Sequence, residues 1–246
     1  MRKVVILLTV VCCGCLFEKK KSQNKGEDSK GKKVQVSKYA NGKTKSEVPY
    51  KEGKRNGVSK SYDSKGNIAL ELPYVNDKRD GRSKKYYEGG KQVFQTTEYK
   101  DDKMHGMQIK YRLNGAVMSE ARFENGFPCN GLKQYLTDNT LKKKYPQIVI
   151  KPIDLIESTG KYVLEISMSE KVSEVKYYTG KLSPSGCLTD NLYFVFLDQP
   201  RKTGVLRYDL QPGGFIMEEL NIIAAVETLQ GNTYIAQRKY NLAIDN

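Results

Sequence analysis

The 246-residue sequence has no tryptophan, one histidine, eight prolines and five cysteines. With a single histidine and scattered thiols there is no plausible all-His/Cys zinc set and no Ser/His/Asp constellation. No P-loop or G-x-S-x-G element occurs either, so the sequence offers no recognisable catalytic motif. His105 stands before Gly106 where matching segments carry Asn56, Asp80 and Asn130. It reads as a turn residue, since histidine tolerates such backbone geometry. The apolar run from Val4 to Val11 is also too short to span a bilayer. Eight helical residues reach about 12 Å, and a span needs about 20 residues.

What the N-terminus does contain is the layout of an export signal. Met1-Arg2-Lys3 precedes the short apolar run, and Cys12-Cys13-Gly14-Cys15 follows it. The segment resembles a bacterial lipobox. Residues 1–14 are expected to be a signal peptide and Cys15 the lipidated residue, with Cys13 as second choice. That makes the chain an expected envelope lipoprotein, membrane-anchored and facing the periplasm or the surface. Residues 15–33 follow as a tether. Glu18 to Lys33 contains Lys19-Lys20-Lys21 and no aliphatic side chain, so it is expected to stay structureless. As a coil its reach is roughly 20–25 Å.

The rest is rich in tyrosine (17) and glycine (21), which suits half-buried sheets. Its strongest signal is a repeat. Tyr39, Tyr62, Tyr86, Tyr111 and Tyr135 are spaced by 23, 24, 25 and 24 residues. Each of the first four leads into a turn glycine (Gly42, Gly66, Gly90, Gly115). A second aromatic column is Tyr50, Tyr74, Tyr99 and Phe123, and each unit closes on Gly57, Gly81, Gly106 or Gly131. A fixed period of this length indicates a stacked or meandering array. Inside a unit, Ile68, Leu70, Leu72 and Tyr74 alternate with polar residues as in a strand. Asn41-Gly42 and Asn114-Gly115 are hairpin-turn dipeptides, and Asn56-Gly57, Asp80-Gly81, His105-Gly106 and Asn130-Gly131 are read the same way. Pro49 and Pro73 remove ladder donors within strands and predict bulges beside them.

The pattern from Tyr62 to Gly81, Tyr-x-x-x-Gly followed by Tyr-x-x-x-Lys-x-x-Gly, resembles the MORN-variant repeat, whose bacterial members are often grouped as antitoxin-like. The resemblance covers residues 36 to about 144 and implies an elongated single-layer antiparallel sheet. The fifth unit departs from it, with Asp138-Asn139 in place of Asn-Gly, and reads as a cap. Residues 34–145 are therefore assigned to a β-repeat domain. Residues 146–246 hold seven strand-like runs in about 100 residues, which argues for a β-sandwich with immunoglobulin-like order as one option. The whole is expected to be all-β. Cys129 and Cys187 fall in different domains, which counts against a bond between them but leaves it open.

Glu47, Glu71 and Glu120 recur on one face and are read as cross-strand ion-pair partners rather than a cation ladder. The tyrosine columns are read as packing between hairpins, and Asp101-Asp102 as a solvated turn. Residues 32–144 carry 25 Lys/Arg against 13 Asp/Glu, whereas residues 145–246 carry 10 against 12. The basicity thus belongs to the array, and Lys84, Lys85, Lys110 and Lys133 are the candidate binding face. The expected function is non-enzymatic binding or scaffolding at a membrane surface, with anionic lipid, acidic glycan or a protein as partner and nucleic acid disfavoured. No metal or cofactor is expected. An immunity or antitoxin role is the alternative the resemblance implies, and a glycan-acting envelope enzyme the remote one.

Overall fold

The structure is a computed structural model and describes residues 23–25, 32–198 and 201–246. The expected signal peptide, the expected lipidation residue Cys15 and most of the expected tether lie outside the described residues. Among the described residues the chain is mostly strand, with one four-residue helix at Ile156–Thr159.

Glycine placement explains the array. Asp63 N donates to Asn67 O and Gly66 N to Asp63 O, with Gly66 at φ 92°. This is a type I turn closed by a left-handed residue, a hairpin loop that favours glycine. Gly42, Gly90 and Gly115 repeat it at φ 81°, 69° and 84°. In the fifth unit Asn139 takes the same role at φ 65°, so the departure from Asn-Gly leaves the backbone unchanged.

At the other edge the expected turn dipeptides are corrected. The reversals are Glu52-Gly53, Asn76-Asp77, Asp101-Asp102 and Asn125-Gly126, both residues of each pair having positive φ. Two consecutive left-handed residues make the type I′ turn that matches strand twist. Asn56-Gly57 and Asp80-Gly81 are instead bulges. Asn56 N donates to Pro49 O and Asp80 N to Pro73 O, and Gly57 and Gly81 sit at φ 110° and 108° against those prolines. The prolines do mark bulges, and the spacing was misread by four residues.

The strands Lys32–Lys38, Thr44–Lys51, Gly57–Tyr62, Ile68–Val75, Gly81–Tyr86, Val93–Lys100, Lys103–Tyr111 and Val117–Glu124 lie side by side in chain order, all antiparallel. Phe127–Pro128 and Lys133–Gln134 end the sheet on Val117–Glu124. At the opposite end Gln23–Lys25 pairs with Val34–Val36, so part of the tether expected to be structureless is an edge strand. Backbone pairing at a free sheet edge needs no apolar side chain, which is why composition did not reveal it.

The second domain encloses a core. Strands Ile148–Leu155, Lys161–Met168, Thr203–Asp209 and Leu197–Asp198 form one sheet. Tyr193–Val195, Glu174–Thr179, Phe215–Glu227 and Thr233–Asp245 form the other. Numbered one to eight along the chain, the sheets run 1-2-6-5 and 4-3-7-8. That is the A-B-E-D and C′-C-F-G order of immunoglobulin-like sandwiches. Leu164 and Ile166 from one sheet meet Ile222, Ala224 and Leu242 from the other, all essentially inaccessible. Each such side chain contributes about 1.5–3 kcal/mol. Tyr177 is fully buried on the third strand, where antibody domains bury tryptophan. Gly204 passes beneath its ring, where a Cβ would lie 2.8 Å from Cδ2.

Candidate functional site

Successive side chains on a strand point to opposite faces. Lys84 and Lys85 are adjacent, so the four lysines cannot share a face. Register runs Glu47, Lys60, Glu71, Lys84, Thr96, Ile109, Glu120, Lys133 straight across one face. Lys85, Gln95, Lys110, Ser119 and Gln134 cross the other. The expected basic face is therefore corrected: it is two rows on two sides of one layer.

The first row is a charge ladder. Lys84 Nζ lies 3.5 Å from Glu71 and Lys133 Nζ 3.7 Å from Glu120. Tyr62, Tyr86 and Tyr135 donate their hydroxyls to Glu47, Glu71 and Glu120 at 3.1, 3.2 and 2.9 Å. The phenol pKa of each rises, from burial first in Tyr62 and Tyr86 and from the hydrogen bond first in Tyr135. Glu71 and Glu120 thus carry both a lysine and a tyrosine, and Glu47 a tyrosine.

At the turn edge the cations are also engaged. Arg55 stacks 4.3 Å from the Tyr74 ring centre and donates to Asp77 Oδ1 and O of the next unit. Arg79 repeats this one unit on, over Tyr99 and onto Asp102. Asp77 and Asp102 are held below the usual carboxylate range, chiefly by the backbone N–H of Arg55 and Arg79. Lys78 lies 3.0 Å from Asp101. The Asp101-Asp102 pair, expected to be merely solvated, is a strained turn neutralised from the preceding repeat. These contacts at a separation of 22 or 23 residues stitch one repeat to the next.

Lys110 is the sharpest departure. It is 6% exposed and donates to the carbonyls of Gln230 (2.5 Å) and Gly231 (3.0 Å) in the sandwich. Burial pushes its pKa down. Around it, Ser119 donates to Asn232 Oδ1 at 2.9 Å, and Gln134 to Thr228 Oγ1 and Gln230 Oε1 at 3.1 and 2.9 Å. The 228–232 turn of the sandwich is thus plugged into the end of the array through polar groups. From the other face Arg122 donates to Ser185 O, and Ser185 to Glu124. Cys129 and Cys187, on which the sequence leaned against pairing, form a disulfide between the two domains. The last repeat is therefore gripped on both faces. Tyr145, in the linker, stacks on Tyr234 with centroids 4.5 Å apart.

Glu124, Cys129 and Cys187 also lie together. Their sulfurs are in the disulfide, leaving no thiolate to ligate a metal. His105 is exposed in the bulge before Gly106 and accepts from Asn125 N at 3.4 Å. Two crevices flank the junction. One, of about 480 Å³, is lined by Asn130, Leu182, Ser183 and Arg238. The other, of about 390 Å³, is lined by Tyr145, Leu136, Val172 and Leu229. Sequence reasoning missed the junction residues Gln108, Ser119, Gln134 and Asn232. Gln108, Ser119 and Gln134 are neutral polar residues on the alternation where an earlier repeat carries Leu70 and Leu72, and Asn232 lies outside the repeats.

The MORN repeat variant matches residues 33–52 and 55–76, the first two hairpin units. These two units are similar to the MORN repeat variant, and the later units repeat their turn and strand pattern. No curated protein matches the sequence. Among solved structures, the extracellular domain of a proposed one component system from B. thetaiotaomicron is similar at 11% identity. The match covers 88% of this chain and 43% of that one, with a TM-score of 0.21, and nothing is carried over from it.

Proposed function

We propose that this chain is a non-enzymatic envelope lipoprotein whose repeat array is a stand-off, holding the sandwich clear of the membrane for binding or scaffolding. The supporting observation is the strand order. From Gln23–Lys25 to Phe127–Pro128 the array makes nine lateral steps, each in chain order, and the sandwich is locked to the far end. At about 4.8 Å per step this is roughly 40 Å. Lipidation at Cys15 would put the membrane at the near end, because the residues from Cys15 to Gln23 extend at most about 27 Å. Among the described residues, no carboxylate pairs with Lys38, Lys45 or Lys54 in the first units. These lysines sit at the end that would face anionic headgroups, whereas Lys84, Lys110 and Lys133 are engaged within the protein.

The test is neutron reflectometry of the lipidated protein on a supported bilayer. Deleting one repeat, residues 58–81, removes two strands and should lower the sandwich by about 10 Å. An unchanged height, or a chain lying flat on the bilayer before deletion, would contradict the stand-off.

A further inference from the structure

Asparagine followed by glycine is prone to spontaneous loss of its side-chain amide, because glycine has no Cβ to shield its nitrogen. The sequence has five such pairs, beginning at Asn41, Asn56, Asn114, Asn125 and Asn130. The glycine nitrogen must give up its proton and turn toward the asparagine Cγ, and the side-chain amide must swing onto it. A glycine N–H that already donates to a carbonyl resists both movements, since its hydrogen bond must break first.

Four of the five pairs are held in this way. Gly42 N donates to Tyr39 O at 3.0 Å and Gly115 N to Arg112 O at 2.9 Å. In these two turns the asparagine Oδ1 also accepts from the backbone N–H of Lys43 or Ala116. Gly126 N donates to Met104 O at 2.8 Å. Gly57 pairs with Tyr74 in the ladder, beside Pro73, whose carbonyl turns away to accept from Asp80 N. By the alternation of an antiparallel pair, Tyr74 O therefore faces the Gly57 N–H.

Asn130-Gly131 differs on each count. The pair lies between the Cys129–Cys187 bond and the strand Lys133–Gln134, and both residues are exposed. Among the described residues, Gly131 N has no acceptor and the Asn130 side-chain amide has no hydrogen bond. Asn130 is held by its backbone, N donating to Gly186 O at 2.8 Å, while its side chain rests on the bare Cα of Gly186.

We propose that Asn130 is a site of spontaneous modification, converting to isoaspartate through a cyclic imide in the folded protein. The Gly131 nitrogen attacks Asn130 Cγ. The new N–Cγ bond replaces the Cγ–Nδ2 bond, and ammonia leaves with the proton that Gly131 gave up. Water then opens the imide, mainly at the α-carbonyl, so that the main chain runs through Cβ. The product has one more main-chain carbon beside the disulfide that joins the two domains. It also carries a new carboxylate in the crevice that Asn130 lines with Lys181 and Lys239. The seam between array and sandwich thus changes with the age of the protein.

The test is to age the full chain in mildly alkaline buffer made with heavy-oxygen water, which marks each new carboxylate. Reduced peptides are then read by tandem mass spectrometry. Asn130 should convert at least fivefold faster than Asn41, Asn56, Asn114 or Asn125. In urea with the disulfide reduced, the five rates should converge to within about twofold, because the hydrogen bonds that separate them are gone. Equal rates at Asn130 and at the other four in the folded chain, or a preference for Asn130 that persists in urea, would overturn the proposal.

Discussion

The array and the sandwich are both antiparallel β-structure, but they are stabilised differently. The sandwich buries Leu164, Ile166, Ile222 and Leu242 between two sheets at 0–1% exposure. The first repeats bury almost nothing completely. Leu70, Leu72, Tyr50 and Tyr74 are all half-exposed on a single layer. The array relies on the strand ladder, on left-handed turn residues, and on contacts carried from each repeat to the next such as Arg55 to Asp77 and Tyr62 to Glu47. A fold without a two-sided core must satisfy charge and hydrogen bonding locally, and Arg55, Arg79, Lys84 and Lys133 are taken up in doing so. Sequence-level net charge therefore overstated the surface available to an acidic partner.

This contrast can be broken most directly by equal deletions in the two regions. Leu164→Ala should destabilise the sandwich by about 3 kcal/mol, the cost of a cavity in a closed core. Leu72→Ala should cost about 1 kcal/mol, because a half-exposed side chain leaves a groove that water can fill. Chemical denaturation of the two variants compares them, and equal costs would mean that the array hides a core of its own.

Two lysines once placed on a single face sharpen the comparison. Lys110→Ala empties a buried position at the junction and takes the donor from the Gln230 and Gly231 carbonyls, and should cost about 2 kcal/mol. Lys84→Ala removes a half-exposed partner of Glu71 and should cost less than about 1 kcal/mol. The same denaturation curves would read both. A larger loss at Lys84 would reverse the assignment of which lysine is structural.

What was legible in the sequence follows the same division. The repeat was written in tyrosine and glycine columns because each unit repeats the same local demands. Alternation and turn residues gave seven sandwich strands, and the structure has eight, because the run at 192–198 divides into Tyr193–Val195 and Leu197–Asp198 in different sheets. The 56–57 and 80–81 pairs were misread because a bulge glycine and a turn glycine look alike in sequence, and only pairing register separates them. Alternation alone could have shown that Lys84 and Lys85 face opposite ways. The burial of Lys110 was not legible, since it depends on Gln230 and Gly231, some 120 residues away. The Cys129–Cys187 bond was obscured in a like way, by a separation of 58 residues across the domain boundary.

Extremes of pH should separate the regions in opposite directions. Asp77, Asp101 and Asp102 have folded pKa values below their unfolded ones. The backbone N–H groups of Arg55 and Arg79 are the main cause for Asp77 and Asp102, and the Lys78 hydrogen bond for Asp101. Their stabilisation is present above about pH 4 and is lost as pH falls through the folded values. In the sandwich, burial pushes Tyr177 up to about 12, and burial with the Tyr240 hydrogen bond does the same for Tyr162. Neutral phenols are favoured by folding, so this stabilisation is full below about pH 10 and is lost as pH rises through about 12. Methyl NMR signals of Ala69 and Leu164 should therefore report acid loosening first in the array and alkaline loosening first in the sandwich. The effects are modest because the aspartates are exposed.

The central claim is that a single-layer array and a closed sandwich behave as one rigid body because the last repeat is gripped on both faces. The most direct measurement is the distance distribution between spin labels placed through unnatural amino acids at Asn41, in the first hairpin turn, and Leu229, at the tip of the turn that plugs into the array. The predicted result is a single narrow peak that broadens when Cys129 and Cys187 are both replaced by alanine and Lys110 by methionine. A broad or two-peaked distribution in the unaltered protein would contradict the account.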